Sequence, residues 1–183
     1  GRAMAVETLI VIPSRYGSTR FPGKPLAEIA GQTMLQRVAA QARAAAAAIP
    51  NAGFVVATDD KRIADHCAAI DRALEAARKI APPCDFILNF QGDAPFTPVA
   101  YLTRIADALR SGAGDVATPC IRLDWAALDA LREAKRQSPT SGTTCIIAPD
   151  MKALWFSKTI IPAIRDEATL RQQSDVSPVY RHV

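Results

Sequence analysis

The chain has 183 residues, long enough for one well-buried domain. Hydrophobic residues make up 49% of it and aromatic residues only 6%, so Ala, Ile, Leu and Val must build the core. The net charge of +4 is scattered, which disfavours a nucleic-acid stripe and suits a small anionic substrate, and no run reaches the ~18 apolar residues of a membrane span.

Gly1–Ala3 before Met4 reads as an expression remnant, and a single domain is expected over 4–183. The apolar run TLIVI at 8–12 predicts a strand and is too short for a leader peptide. It leads at once into PSRYGSTRFPGKPL at 13–26, a loop that places Arg15, Arg20 and Lys24 among Gly, Ser and Pro. Gly17 and Gly23 permit close backbone approach, the cations supply charge and directed donors, and the prolines restrict the loop. An ordinary solvated loop is the alternative. Neither GxxxxGK[ST] nor GxGxxG is present, since Lys24 is followed by Pro25 and Gly17 stands alone.

A helix is expected from Thr33, which can form a capping box with Gln36, through the Ala-rich run to Ile49. FVVAT at 54–58 predicts the next strand. Asp59 and Asp60 follow it as either helix caps or ligand-side carboxylates. His66 falls in a helical pattern at an expected surface position. Ile70 then runs into Asp71 with no strand between two helical stretches. Either one helix spans 60–80, or a strand and loop of roughly 10–20 residues are lacking at that junction.

FILNF at 86–90, VATPC at 116–120, TCIIA at 144–148 and ALWFS at 153–157 predict further strands, with helices between most of them. The polar run at 165–177 reads as an exposed loop. This alternation predicts an α/β fold with a mostly parallel sheet and helices on both faces, whose ligands bind beyond the carboxyl ends of the strands. Asn89-Phe-Gln-Gly-Asp93 ends one such strand, so Asp93 is either a turn residue or a carboxylate facing a ligand. Cys67, Cys84, Cys120 and Cys145 form no CxxC pair and read as free thiols in a reduced cytoplasm.

PSRYGSTRFPGKPL, ATDD at 57–60 and NFQGDAP at 89–95 together resemble the cytidylyltransferases that activate 3-deoxy-manno-octulosonate (KDO), and ALWFSKTIIP and RHV match later blocks. The resemblance implies a Rossmann-like nucleotidyltransferase fold, a cytoplasmic homodimer, and transfer of CMP from CTP to KDO for lipopolysaccharide synthesis. It implies nucleotide contacts from Pro13, Ser14, Arg15, Gly17 and Lys24, with Arg15, Lys24 and Asp93 serving catalysis and Asp93 holding Mg²⁺. Sugar-acid contacts fall to Gln91, Lys158, Arg181 and His182. Lys158 stands where the family usually has Arg, which gives up the bidentate fork. A Ser-Gly-Ser/Thr loop expected before Asp71 and a second metal-binding Asp of the family's C-terminal region are not in this chain. Two other readings remain: a nucleotidyltransferase for another acidic sugar or a sugar phosphate, and a nucleotide-binding protein without catalysis.

Overall fold

Apolar runs that are nearly continuous, rather than alternating, suit strands covered on both faces; in the first strand one face is fully buried and the other partly. In the computed structural model, which describes residues 6–17, 22–58, 60–70, 84–91 and 94–183, β1 (Thr8–Pro13) buries Ile10 and Ile12 completely. The chain divides into two compact units, Gly1–Ala117 and Thr118–Val183.

In the first unit, β1 is followed by a 3₁₀ turn (Lys24–Leu26), the small hairpin β2 (Glu28–Ile29) and β3 (Gln32–Thr33), and α1 (Met34–Ala48). Then come β4 (Ala52–Ala57), α2 (Lys61–Ile70), β5 (Phe86–Asn89) and α3 (Val99–Arg110). Three strands form a parallel sheet in the order β4-β1-β5, with Ile10 opposite Phe54 on one side and Leu88 on the other. Helices flank this sheet. The capping box at α1 is complete: the Gln36 N–H donates to Thr33 Oγ1 at 3.1 Å, and the Thr33 N–H donates to Gln36 Oε1 at 2.7 Å. Leu35, Val38, Ala39, Ala42 and Ala45 fall on one helical stripe and are buried. Small alanines let this face lie close to β1 and β4.

The second unit carries β6 (Cys120–Asp124), α4 (Trp125–Gln137), β7 (Thr143–Ile147), β8 (Ala153–Ser157), α5 (Glu167–Gln173) and β9 (Val176–His182). Its sheet is antiparallel, in the order β6-β9-β7-β8. Leu123, Trp125, Leu128, Leu131 and Val179 close a separate small core. The parallel arrangement expected from strand–helix alternation therefore describes the first unit only. The strand expected at 116–120 begins instead at Cys120, and Val116 is exposed. The polar run at 165–177 is not a loop: it forms α5 and the start of β9. Asp124 caps α4 by accepting the Ala127 N–H at 2.7 Å. The Ile70–Asp71 junction runs into 71–83, outside the described residues. Among the described residues no helix is long and apolar enough to cross a membrane.

Candidate active site

Parallel strands bring their carboxyl ends to one edge, and here the edge is drawn together by backbone bonds. The Ser14 N–H donates to the Ala57 carbonyl at 2.9 Å, and the Phe90 N–H donates to the Val11 carbonyl at 2.8 Å. Residues following β1, β4 and β5 thus share one rim: Pro13 to Gly17, Thr58 and Asp60, and Gln91. Arg15 is exposed and has no hydrogen bond or ion pair among the described residues. Ser14 is buried, yet its Oγ has no hydrogen-bond partner among the described residues. A buried hydroxyl in that state keeps its capacity to donate or accept a hydrogen bond. Gln91 is exposed just beyond β5. Lys24 opens the 3₁₀ turn behind Gly23, whose φ of 73° lies in the left-handed region. Arg20 and Asp93 lie outside the described residues, as does Asp59.

Asp60 resolves as a cap. Its Oδ1 accepts the Arg62 N–H at 2.9 Å, and its carboxylate takes the Arg62 guanidinium through Nε at 3.0 Å and a terminal nitrogen at 2.7 Å. That guanidinium holds the Asp60 carboxyl below its usual range. Arg62 also stacks on the Tyr16 ring, with its central carbon 3.2 Å from the ring centroid. His66 does more than face solvent: it is half-buried, and its Nε2 lies 2.8 Å from Thr33 Oγ1, tying α2 to the cap of α1.

In the second unit the antiparallel register decides which candidates share a face. Lys158 Nζ donates to Thr143 Oγ1 at 2.8 Å, Thr143 lies opposite His182, and His182 lies opposite Cys120. The His182 Nε2 is 2.6 Å from Thr118 Oγ1, and its ring meets Phe156 edge-on at 5.7 Å between centroids. Lys158 and His182 are therefore brought together across Thr143. Arg181 is not: successive strand residues point to opposite faces, and its side chain runs beside Gly142 and Leu131. There it adjoins Lys135, whose Nζ donates to the carbonyls of Ser141 at 2.5 Å, Gly142 at 3.1 Å and Lys158 at 2.5 Å. Loss of hydration, then the charges of Lys158 and Arg181, lower the Lys135 pKa. Sequence reasoning assigned no role to Tyr16, Arg62, Thr118, Thr143 or Lys135. The Arg62–Tyr16 and Thr118–His182 contacts join segments distant in the chain, which no local pattern announces.

Among the described residues no group of three or more His, Cys, Asp or Glu is placed to hold a metal. Asp93, the carboxylate that the sequence offers two residues beyond Gln91, lies outside those residues.

The family model described as cytidylyltransferase matches residues 9–183. A 3-deoxy-manno-octulosonate cytidylyltransferase of Maricaulis maris (strain MCS10) is 39% identical over 195 positions, covering 97% of this chain and 71% of the relative. A protein of the same description from Vibrio cholerae serotype O1 (strain M66-2) is 34% identical, covering 95% of this chain and 71% of its own. The Maricaulis alignment is longer than the 183 residues here, so the relative carries aligned positions without a counterpart. Among solved structures, a CMP:2-keto-3-deoxy-manno-octonic acid synthetase complexed with CTP superposes with a TM-score of 0.67 at 28% identity. It covers 97% of this chain and 71% of that one.

Proposed function

The chain belongs to the cytidylyltransferase family, and we propose that it transfers CMP from CTP to 3-deoxy-manno-octulosonate, releasing pyrophosphate, as a step toward lipopolysaccharide. The observation that carries this reading is Arg15, exposed and without a partner among the described residues, on a loop leaving β1 at the ligand edge of a parallel sheet. Similarity to the CTP-bound synthetase and to relatives named for KDO supports the choice of nucleotide and acceptor.

In this reaction a hydroxyl of the sugar acid attacks the α-phosphorus of CTP in line, its oxygen–phosphorus bond forms as its proton passes to solvent, and the bond to pyrophosphate breaks. Arg15 and Lys24 bind the phosphates and offset charge that grows on them. The Ser14 hydroxyl, with Pro13 and Gly17, contributes donors and close backbone approach for the nucleotide. Gln91, Lys158 and His182 orient the sugar acid, and Arg181 lies on the opposite face of the sheet beside Gly142. Asp93 would hold Mg²⁺, which when bound polarises the phosphates and neutralises charge. The protein acts in the cytoplasm as a homodimer. The exposed Trp155 of the edge strand β8, on the face opposite Phe156 and His182, supplies apolar surface for a second copy.

Pyrophosphate release with Mg²⁺, CTP and KDO, compared with UTP, dTTP and GTP and with other acidic sugars or sugar phosphates, tests the reading. Release with CTP and KDO above every other pair is expected, and no release from that pair overturns it. Sedimentation at micromolar concentration tests the dimer, and a monomer there overturns that part.

A further inference from the structure

We propose that Arg62 is a positioning residue for the nucleotide loop, holding it through Tyr16 while Asp60 holds Arg62; this rests on the nucleotide reading of the loop given above. The loop Ser14–Gly17 leaves β1 without regular structure, and its far limb returns through Gly23 to the 3₁₀ turn. Among the described residues the two limbs are joined where the Gly23 N–H donates to the Tyr16 carbonyl at 2.8 Å. Tyr16 packs its ring over the same place. A Cβ added at Gly23 would sit 3.2 Å from Cε2, Cζ and the hydroxyl oxygen of that ring, a tight contact, and its φ of 73° favours glycine. Arg62 then lies on the ring at 3.2 Å from its centroid, the geometry of a cation–π contact.

Arg62 is itself fixed. Its backbone N–H and two guanidinium nitrogens all bond to the Asp60 carboxylate, and it sits in the first turn of α2, which packs against the 3₁₀ turn. A planar guanidinium held in a fork can stay parallel to an aromatic face, whereas a lysine ammonium cannot combine both contacts. Because its charge is engaged by Asp60, Arg62 serves the loop as a brace rather than as a phosphate ligand. The brace holds the Tyr16 carbonyl toward Gly23 and thereby sets the positions of the flanking Ser14, Arg15 and Lys24. A loop ordered before it meets CTP gives up less freedom on binding.

The test compares Arg62→Ala, Arg62→Lys, Tyr16→Leu and the double variant Arg62→Ala/Tyr16→Leu with the unaltered chain, using amide hydrogen exchange over residues 13–26 without nucleotide and calorimetric titration with CTP. Faster exchange at Gly23 and a roughly fivefold weaker CTP affinity are expected for Arg62→Ala, with a smaller loss for Arg62→Lys. The double variant should be no weaker than Tyr16→Leu alone, since both changes remove one contact. Unchanged exchange in Arg62→Ala overturns the brace. Faster exchange with unchanged CTP affinity overturns the positioning role, and so does simple addition of the two effects. Failure of the unaltered chain to bind CTP refutes the nucleotide reading and the positioning role with it, while the exchange data still decide whether the brace exists.

Discussion

Arg181 and His182 are neighbours in β9 that face opposite sides of the antiparallel sheet, one beside Gly142 and Leu131, the other between Thr118 and Phe156. Only His182 shares its face with Lys158, through Thr143. Replacing His182 or Lys158 by Ala is expected to raise KM for the sugar acid about fivefold to tenfold, the loss of one hydrogen bond. Arg181→Ala should leave KM near its original value and cost about 0.5–1 kcal/mol of stability through lost stem packing. Steady-state kinetics beside thermal melts separate the two outcomes, and a large KM effect at Arg181 would place the acceptor on the other face.

On the nucleotide side, Arg15→Ala and Lys24→Ala are each expected to weaken CTP binding by roughly 1.5–3 kcal/mol, the range for a charge-assisted hydrogen bond. Arg15 is exposed, so its variant should melt with the unaltered chain. Titration calorimetry measures the affinity. Wild-type affinity in both variants would make the loop an ordinary surface turn.

Asp93→Asn is expected to remove most turnover at saturating Mg²⁺ while leaving the melting midpoint within a few degrees. Asparagine keeps the size and loses the charge that a divalent cation needs. Initial rates across a Mg²⁺ series provide the check. Near-normal turnover would take Asp93 out of the reaction.

The junction of α4 and α5 should make stability fall in acid. Arg132 and Arg171 grip Glu167, with contacts of 2.7 Å from each, and hold its pKa down at about 2 against the usual 4.5. Arg171 also bonds Asp129 at 2.7 Å and lies over the Trp125 ring at 4.7 Å. A carboxyl with a lowered folded-state pKa adds stability that is full above pH 4.5 and disappears as pH falls toward 2. These groups are partly exposed, so Glu167→Gln is expected to cost only on the order of 1 kcal/mol at neutral pH. Urea melts at pH 7 and pH 2.5 should show that difference shrinking in acid. A constant difference would mean that the charge on Glu167 contributes nothing.

Burial in the sheet, then the adjacent Cys120, pushes the Cys145 thiol up to about 11. A thiol in that range carries little thiolate at pH 8, and Cys145 is also inaccessible. Iodoacetamide at pH 8 should leave it unmodified until the unit unfolds, and mass mapping of alkylated peptides reads this directly. Rapid native-state labelling at Cys145 would contradict its burial.

Local chemistry determined a good deal of this protein by itself. Thr33 and Gln36 specify their own capping box within one turn, the alanine stripe specifies a close-packing face, and an apolar run such as TLIVI specifies a strand. The basic loop after β1 was legible for the same reason: its position follows from the strand, and its composition states its charge. The second unit was decided by tertiary structure. VSPVYRH gives little alternation to read because the polar Ser177 and Arg181 share the face of the buried Val179, and a seven-residue α5 is too short to hold by propensity, so its ion pairs with α4 support it. Cys120–Asp124 pairs as a strand because β9 offers it a ladder, although VATPC just before it is the more apolar text. Register likewise separated Arg181 from His182, and folding brought Arg62 onto Tyr16. Both depend on distant segments meeting, and distance along the chain carries no trace of that.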